Sequence, residues 1–303
     1  MSNFLIIVFC LLAGYLLRRF RVVKDDGFKA INTWVIYIGL PATSFKYLPD
    51  LYWDDGIIVA LLAPALLFAG SYVFIKGMGK VWKFSKRTTH TLILISGLSN
   101  TSFVGFPLVA TYFGEDKIKW AIINDQMTFF LLSTVGVVLA LQANNRTGQR
   151  IPLSYMIKRV LLFPPLLGCI GALLIPRFVD LSVLNPFFTQ LSATVSPLAL
   201  FSIGMQLSLS FSRSELLTIG VSIFYKLLLG PVLILLLLFV FQWNGEVAQI
   251  TAFEMFMPSL VATSMVLQEF RLNTKLGNSI IGFSIVIGLI TTWLAYQAII
   301  VLL

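Results

Sequence analysis

Solid apolar runs recur along the whole chain, and each is long enough to cross a lipid bilayer. About 20 residues wound as an α-helix span the hydrocarbon core of ~30 Å. Because that core contains no water, backbone N–H and C=O groups must pair within helices or within a closed barrel. Barrel strands would alternate in polarity over about ten residues, and these runs do not. The chain is therefore predicted to be an all-α integral membrane protein.

Composition agrees with that class. Of the 303 residues, 58% are hydrophobic and only 12% are charged, which leaves too little polar surface to coat a soluble domain of this size. The formal charge of +9 does not indicate nucleic-acid binding. Membrane proteins ordinarily carry an excess of Lys and Arg in their cytoplasmic loops.

The apolar runs predict ten membrane-spanning helices joined by short loops. The predicted spans are Asn3–Leu17, Ala30–Tyr47, Ile57–Ile75, Thr91–Phe113, Trp120–Leu141, Leu153–Ile175, Pro186–Leu207, Leu216–Phe241, Val247–Leu267 and Asn278–Val301.

The positions of the basic residues predict the orientation. Loops after predicted helices 1, 3, 5, 7 and 9 hold 17 of the 22 Lys and Arg residues. The alternate loops hold Lys46, Lys117, Lys119 and Arg177. Because cytoplasmic loops are the basic ones, we expect an even number of spans. Both termini are then on the non-cytoplasmic side of the cytoplasmic (inner) membrane.

An even split gives five helices in each half, and two halves of five have opposite orientations, which is the inverted-repeat plan of many secondary transporters. Helix breakers recur at similar spacing, 66 residues from Pro41 to Pro107 and 61 from Pro197 to Pro258. The predicted domains are residues 1–142 (first five-helix repeat), 143–152 (cytoplasmic linker) and 153–303 (second five-helix repeat).

Helix 4 carries a polar, glycine-rich stretch from Ser96 to Pro107, and helix 9 carries a counterpart from Met257 to Ser264. Proline removes a backbone donor, so we expect broken helices that cross near the midplane. Half-helix N-termini would there favour an anion. The candidate substrate-binding residues are Asn100, Thr101, Gly105, Pro107, Pro258, Ser259 and Thr263, with Pro41 and Pro197 shaping the cavity. The alternative is that these residues only kink their helices.

Ionisable residues inside predicted spans are few, and they include Asp125, Lys226 and Glu254. Such groups are expensive in a membrane and are functional candidates by default. Asp125 and Glu254 are candidates for coupling or proton relay, since burial favours the neutral form of a carboxyl group. Asp125 could instead lie in external water, and Lys226 could reach the cytoplasmic interface instead of contacting an anion.

Other classes of protein find less support. A membrane enzyme would need a cluster of nucleophile, base or metal ligands, and no such grouping is present in the sequence. No phosphate-binding glycine loop is present either, so we expect that ATP does not drive transport directly. We also expect no cofactor and no metal. A membrane sensor built on a transporter fold stays open, as do coupling to protons or sodium and a homodimeric state.

The segment from Asn100 to Pro107, followed by Tyr112-Phe113-Gly114, resembles helix 4 of the auxin efflux carrier family. Further matching stretches include Asn32 to Pro41 and Ser196 to Ala199, and the resemblance covers nearly the whole chain. It implies a five-plus-five inverted repeat with helices 4 and 9 crossing at the site of an anion, and Asp125 matches an acidic residue of bacterial members.

The family includes plant auxin carriers and bacterial carriers of malonate, malate and related acids. The long cytoplasmic loop of many plant members is absent here, which favours a bacterial-type carrier. We therefore expect a secondary transporter that moves a small mono- or dicarboxylate by alternating access. The alternative within the family is an auxin-like carrier of an aromatic carboxylate.

Overall fold

A computed structural model of the protein describes residues 2–49, 51, 56–143, 152–207 and 212–303. These residues form helices almost throughout, and no β-strand occurs among them apart from one isolated bridge. Most of the predicted linker 143–152 lies outside the described residues. The prediction of an all-helical chain is confirmed for the part that the structure describes.

The described residues form seventeen α-helices: α1 (Ser2–Arg19), α2 (Phe28–Trp34), α3 (Leu40–Tyr47), α4 (Gly56–Val81), α5 (Lys86–Gly97), α6 (Phe106–Tyr112), α7 (Ile118–Leu131), α8 (Val137–Ala143), α9 (Leu153–Leu161), α10 (Pro164–Leu174), α11 (Asn185–Ala193), α12 (Val195–Gln206), α13 (Leu216–Phe224), α14 (Gly230–Val240), α15 (Glu246–Met255), α16 (Thr263–Glu269) and α17 (Thr274–Leu302).

Five helical runs among the described residues are long and apolar enough to cross a membrane. They are Gly56–Val81, Glu115–Ala143, Ser182–Gln206, Arg213–Val240 and Thr274–Leu302. A shorter apolar helical run extends over Pro164–Arg177. The protein is thus a multi-pass membrane protein, while the count of ten spans stays a prediction.

Several α-helices in the described part of the chain are preceded directly by a π-helical turn of five residues. Three such turns, Val35–Gly39, Thr101–Gly105 and Tyr225–Leu229, each end two residues before a proline. Proline has no N–H and its ring clashes with the carbonyl one turn earlier. The wider π turn relieves the clash between the proline ring and that carbonyl. Helices therefore continue through Pro41, Pro107 and Pro231 instead of breaking at them.

The predicted sixth span, Leu153–Ile175, is wrong as one continuous helix. α9 ends at Leu161, and the backbone of Phe163 is extended before α10 begins at Pro164. The residue before a proline disfavours the helical conformation, whereas proline fits the first turn of a new helix. The two consecutive prolines therefore separate α9 from the apolar helix α10.

The chain folds into two compact units. Unit 1 comprises Met1–Asp54, Ser102–Ile122 and Ile157–Leu207. Within it α1 and α12 touch at glycines, because a Cβ on Gly14 would lie 2.1 Å from the Phe201 carbonyl oxygen and one on Gly204 would lie 2.2 Å from the Leu11 carbonyl oxygen. Small residues at helix contacts are typical of membrane proteins.

Unit 2 comprises Asp55–Thr101, Ile123–Met156 and Ser208–Leu303. Inside it α4 packs on α5, where the Ser71 hydroxyl donates to the Ile93 carbonyl (3.0 Å). α5 also meets α13 through the hydroxyls of Ser96 and Ser222, 2.6 Å apart. Both units draw on both halves of the sequence, so the predicted repeats 1–142 and 153–303 are not themselves the compact units and stay a prediction.

Candidate functional site

Two non-helical segments in unit 2 pair with each other, and we call the pair the bridge: residues 98–100 after α5, and residues 258–260 between α15 and α16. Two backbone hydrogen bonds join them, from the Asn100 N–H to the Pro258 carbonyl (2.8 Å) and from the Leu260 N–H to the Leu98 carbonyl (3.0 Å). Backbone groups freed from the two helices thus satisfy one another, as burial in a membrane protein requires.

The bridge is held from one side by Lys226, which is fully buried in the π-helical turn before Pro231. Its Nζ donates to Ser99 Oγ (2.6 Å) and to the carbonyl of Met255 (3.0 Å). That carbonyl ends α15, where a helix carries partial negative charge. The interpretation of Lys226 as a residue that reaches the cytoplasmic interface is wrong, because its ammonium group lies inside protein.

Asp125, on α7, is a hydrogen-bond acceptor for the residue that follows residues 98–100. Its Oδ1 accepts a hydrogen bond from Thr101 Oγ1 (2.6 Å), and the residue is 1% exposed. The alternative that Asp125 lies in external water is therefore wrong. The preceding residue, Asn124, donates from Nδ2 to Thr251 Oγ1 on α15 (3.3 Å). α7 thus makes hydrogen bonds to the residue that follows residues 98–100 and to the helix that precedes residues 258–260.

Glu254 follows Thr251 by one helical turn and is fully buried. Neither of its carboxylate oxygens has a hydrogen-bond partner among the residues that the structure describes. Lys226 and Asp125 are both within electrostatic range of this carboxyl group. A buried carboxyl without donors is unusual in a native protein and indicates a group that exchanges a proton or meets a ligand.

Three residues in or beside the bridge also bury polar atoms without a partner in the described part of the chain: both side-chain heteroatoms of Asn100 and the hydroxyls of Ser259 and Thr263. Native proteins pair nearly all buried polar groups. The backbone N–H of Ser259 is satisfied, since it donates to Ser284 Oγ on α17 (3.1 Å). The orphaned side chains, together with Glu254, make this part of unit 2 the candidate binding site.

The other predicted site residues lie elsewhere. Gly105 ends the π-helical turn after the bridge, and Pro107 lies in α6 of unit 1. There Pro107 and Pro197 both line a cavity of about 200 Å³. Pro41 does not line that cavity; it packs on α10, where a Cβ on Gly168 would lie 2.5 Å from the Pro41 Cα. The roles of these residues in binding stay predictions.

Sequence reasoning missed several members of the site. Ser99, Asn124 and Thr251 are ordinary small polar residues of membrane helices, and nothing in their spacing marks them as partners. Ser284 lies in a helix with many Ser and Thr residues and gives no signal. Lys226 did give one, because a cation in the middle of an apolar span must find partners.

A comparison with protein families decides the class of this chain. A family model described as membrane transport protein matches residues 1–153 and again residues 150–296. The chain belongs to this family. It is the auxin efflux carrier family, so the resemblance carried by the helix 4 motif is confirmed.

Individual proteins similar to this chain are also described as transporters. The chain is 25% identical over 286 residues to an uncharacterized transporter of Methanocaldococcus jannaschii, with 91% of each chain covered. It is 24% identical over 294 residues to an uncharacterized transporter of Methanothermobacter thermautotrophicus, with 92% of each chain covered. The uncharacterized transporter YfdV of Escherichia coli is 24% identical over 311 residues, covering 96% of this chain and 94% of its own. This member of the auxin efflux carrier family is thus similar to transporters over nearly its full length.

Proposed function

We propose that this protein is a secondary transporter of a small organic anion, a mono- or dicarboxylate such as malonate or malate, and that it binds the anion beside the bridge. The observation that carries the proposal is the set of fully buried, unpartnered side chains around the bridge, next to the fully buried amino group of Lys226. Family membership supplies transport as the activity.

Lys226 supports an anion as the substrate. An ammonium group has three N–H donors, and two of them are used on Ser99 and Met255. The third is available to a ligand oxygen. Asn100, which can donate through its amide and accept through its carbonyl oxygen, adds a neutral partner. A buried cation and neutral donors together suit a carboxylate, which only accepts hydrogen bonds when ionised.

The transport mechanism that we propose is alternating access in a ten-helix inverted repeat, with helices 4 and 9 interrupted at the bridge. Two features support this plan. The family model matches the chain twice in succession, over 1–153 and 150–296. Each half also contributes one non-helical segment to the bridge, and such interrupted helices at the binding site are typical of transporters with internal repeats.

Glu254 supports coupling to protons. It has no hydrogen-bond donor among the described residues, whereas Asp125 is held by Thr101. A carboxyl group in such surroundings changes its charge more readily than one that is fixed by a donor. We therefore assign the proton-coupling role to Glu254 and a positioning role to Asp125.

The test is uptake into proteoliposomes that contain the purified protein, with radiolabelled malonate, malate and indole-3-acetate as probes. The first two represent small dicarboxylates and the third represents an auxin-like aromatic acid. We expect uptake of a small dicarboxylate and at least a roughly tenfold loss in Asn100→Ala, as for about 1.4 kcal/mol of lost binding free energy.

Asn185→Ala, at an exposed position on α11, is the matched control and should keep full uptake. Both variants should retain the thermal unfolding temperature of the parent in detergent. Undiminished uptake in Asn100→Ala would remove the bridge as the binding site. Ligand-induced stabilisation without any flux would instead indicate a sensor on a transporter fold.

A further inference from the structure

The cavity of unit 1 shares no lining residue with the set assigned above to anion binding in unit 2, and its wall has a chemistry of its own. Apolar residues, among them Pro107 and Pro197, form much of the lining. Charged and phenolic side chains, Lys46, Tyr47 and Glu115, line the same cavity. A wall that combines hydrocarbon with a few polar groups is typical of a small-molecule site.

Within this wall the protein holds a carboxylate of its own. Glu115 Oε2 accepts hydrogen bonds from Lys46 Nζ (3.2 Å) and from Tyr47 Oη (3.1 Å). One oxygen of a carboxylate is thus held by an ammonium group and a phenol at the same time. These two donors would bind the carboxylate of a small organic acid in the same way.

Local structure places the three groups together. Lys46 and Tyr47 form the last two residues of α3, and the Lys46 ammonium lies 4.5 Å from the centroid of the Tyr47 ring. Gly114 follows α6 with φ +106°, a conformation that other residues rarely adopt. The sharp turn at Gly114 leads the chain directly into Glu115.

Burial of the partners is unequal. The side chain of Lys46 is 20% exposed, whereas that of Glu115 is 66% exposed. An ion pair with one partner largely in water is weak and is screened by salt. Lys46 is therefore a fixed part of the wall, and Glu115 is the partner that can be displaced.

We propose that Lys46 and Tyr47 form a second carboxylate subsite in unit 1, which Glu115 occupies until a small carboxylate from solution displaces it. The apolar lining beside Pro107 and Pro197 would contact the hydrocarbon part of the acid. A role of this subsite in transport rests on the proposed function, whereas its affinity for anions does not.

The test measures the preference of the cavity for anions over cations, with charged thiol reagents instead of a substrate. Ala110 lines the cavity, so Ala110→Cys places one thiol there. The native cysteines, Cys10 and Cys169, are both free and are replaced by alanine. The probes are an anionic sulfonatoethyl and a cationic trimethylammonioethyl methanethiosulfonate, applied to the purified protein in detergent.

We expect Lys46→Gln to slow the anionic reagent about fivefold and Glu115→Gln to speed it about fivefold, the effect of one nearby unit charge in a watery site. Tyr47→Phe should slow it less. The cationic reagent should respond in the opposite direction to both charge changes. Lys117→Gln is the matched control: Lys117 pairs with Asp116 at 2.9 Å and does not line the cavity, so it should change neither rate by more than about twofold.

Equal effects of Lys46→Gln and Lys117→Gln would overturn the subsite, because they would reduce it to general surface charge. Thiol reaction rates that are unchanged by Glu115→Gln would also overturn the subsite. The outcome is separable from that of the transport test. Charge selectivity with no uptake of any carboxylate would contradict the proposed function alone, whereas uptake without charge selectivity would contradict the subsite alone.

Discussion

Lys226 is an ammonium group enclosed entirely by protein in a membrane-spanning segment. Such burial costs several kcal/mol unless the charge is hydrogen-bonded and paired. Two acceptors, Ser99 Oγ and the Met255 carbonyl, meet part of that cost. Glu254 lies within electrostatic range but makes no hydrogen bond with it. An incompletely paired arrangement of this kind stabilises the fold little, which is consistent with the role in ligand or proton exchange that we propose.

The proton-coupling role proposed for Glu254 predicts a response of transport to a pH gradient. In proteoliposomes with an imposed pH gradient, the parent protein should take up its carboxylate substrate faster than without a gradient. Glu254→Gln keeps the shape of the side chain but cannot ionise, so its uptake should be the same with and without the gradient.

Glu246→Gln is the matched control, because Glu246 begins the same helix α15 at an exposed position. It should retain the response to the gradient. A preserved response in Glu254→Gln, together with its loss in Asp125→Asn, would transfer the coupling role to Asp125.

Helices in this protein are shaped by prolines and by glycines with different effects. Prolines after a π-helical turn leave the helix continuous, and one of these turns presents Lys226 to the bridge. Glycines at helix contacts let backbones approach closely, since Gly14 faces the Phe201 carbonyl and Gly204 faces the Leu11 carbonyl. The contact between α1 and α12 therefore depends on the absence of two Cβ atoms.

Gly14→Ala should destabilise the protein by about 1–3 kcal/mol, because the added Cβ would lie 2.1 Å from a backbone oxygen and the helices must separate. Thermal unfolding in detergent measures the effect. Gly77→Ala on α4 is the matched control, since a Cβ there meets nothing within 4 Å. Alanine is favoured over glycine in a helix, so the control should be neutral or stabilising by up to about 1 kcal/mol. Equal unfolding temperatures for the two variants would contradict the close contact.

At the scale of the whole molecule, two divisions of the chain differ. The family model divides it along the sequence, into 1–153 and 150–296. Packing divides it differently, because unit 1 and unit 2 each take segments from both parts. Repeats that exchange segments in this way need each other to complete a folded unit. Neither half of the sequence is therefore expected to fold alone.

The orientation of the whole chain is predicted by its basic loops. Alkaline phosphatase fused after Leu303 should be active, and green fluorescent protein at the same position should be dark, since the C-terminus is expected on the non-cytoplasmic side. Both reporters inserted after Gln142 should give the reverse pattern. The same reporter signal at both positions would mean that an even number of spans separates them, which would contradict the predicted odd number.

By itself the sequence identified the class and the family, and it predicts the site. Long apolar runs require helices in a bilayer whatever their tertiary contacts, and the Asn100 to Pro107 motif identifies the family. Of the seven residues predicted to bind the substrate, Asn100, Thr101, Pro258, Ser259 and Thr263 lie at or beside the bridge. Gly105 and Pro107 follow it in the chain, and Pro107 belongs to unit 1. The binding role of all seven stays a prediction. Local chemistry was sufficient for these conclusions.

Tertiary structure decided which groups meet. Whether Lys226 reaches the interface or the bridge depends on acceptors supplied by Ser99 and Met255, more than a hundred and nearly thirty residues away. Whether a proline breaks a helix depends on how the preceding turn packs: Pro107 lies inside a helical run, and the non-helical segment is at residues 98–100 instead. Glu115 meets Lys46 and Tyr47 across 69 and 68 residues. Pairings of this kind are set by packing, because side-chain partners distant in sequence leave no periodic signal.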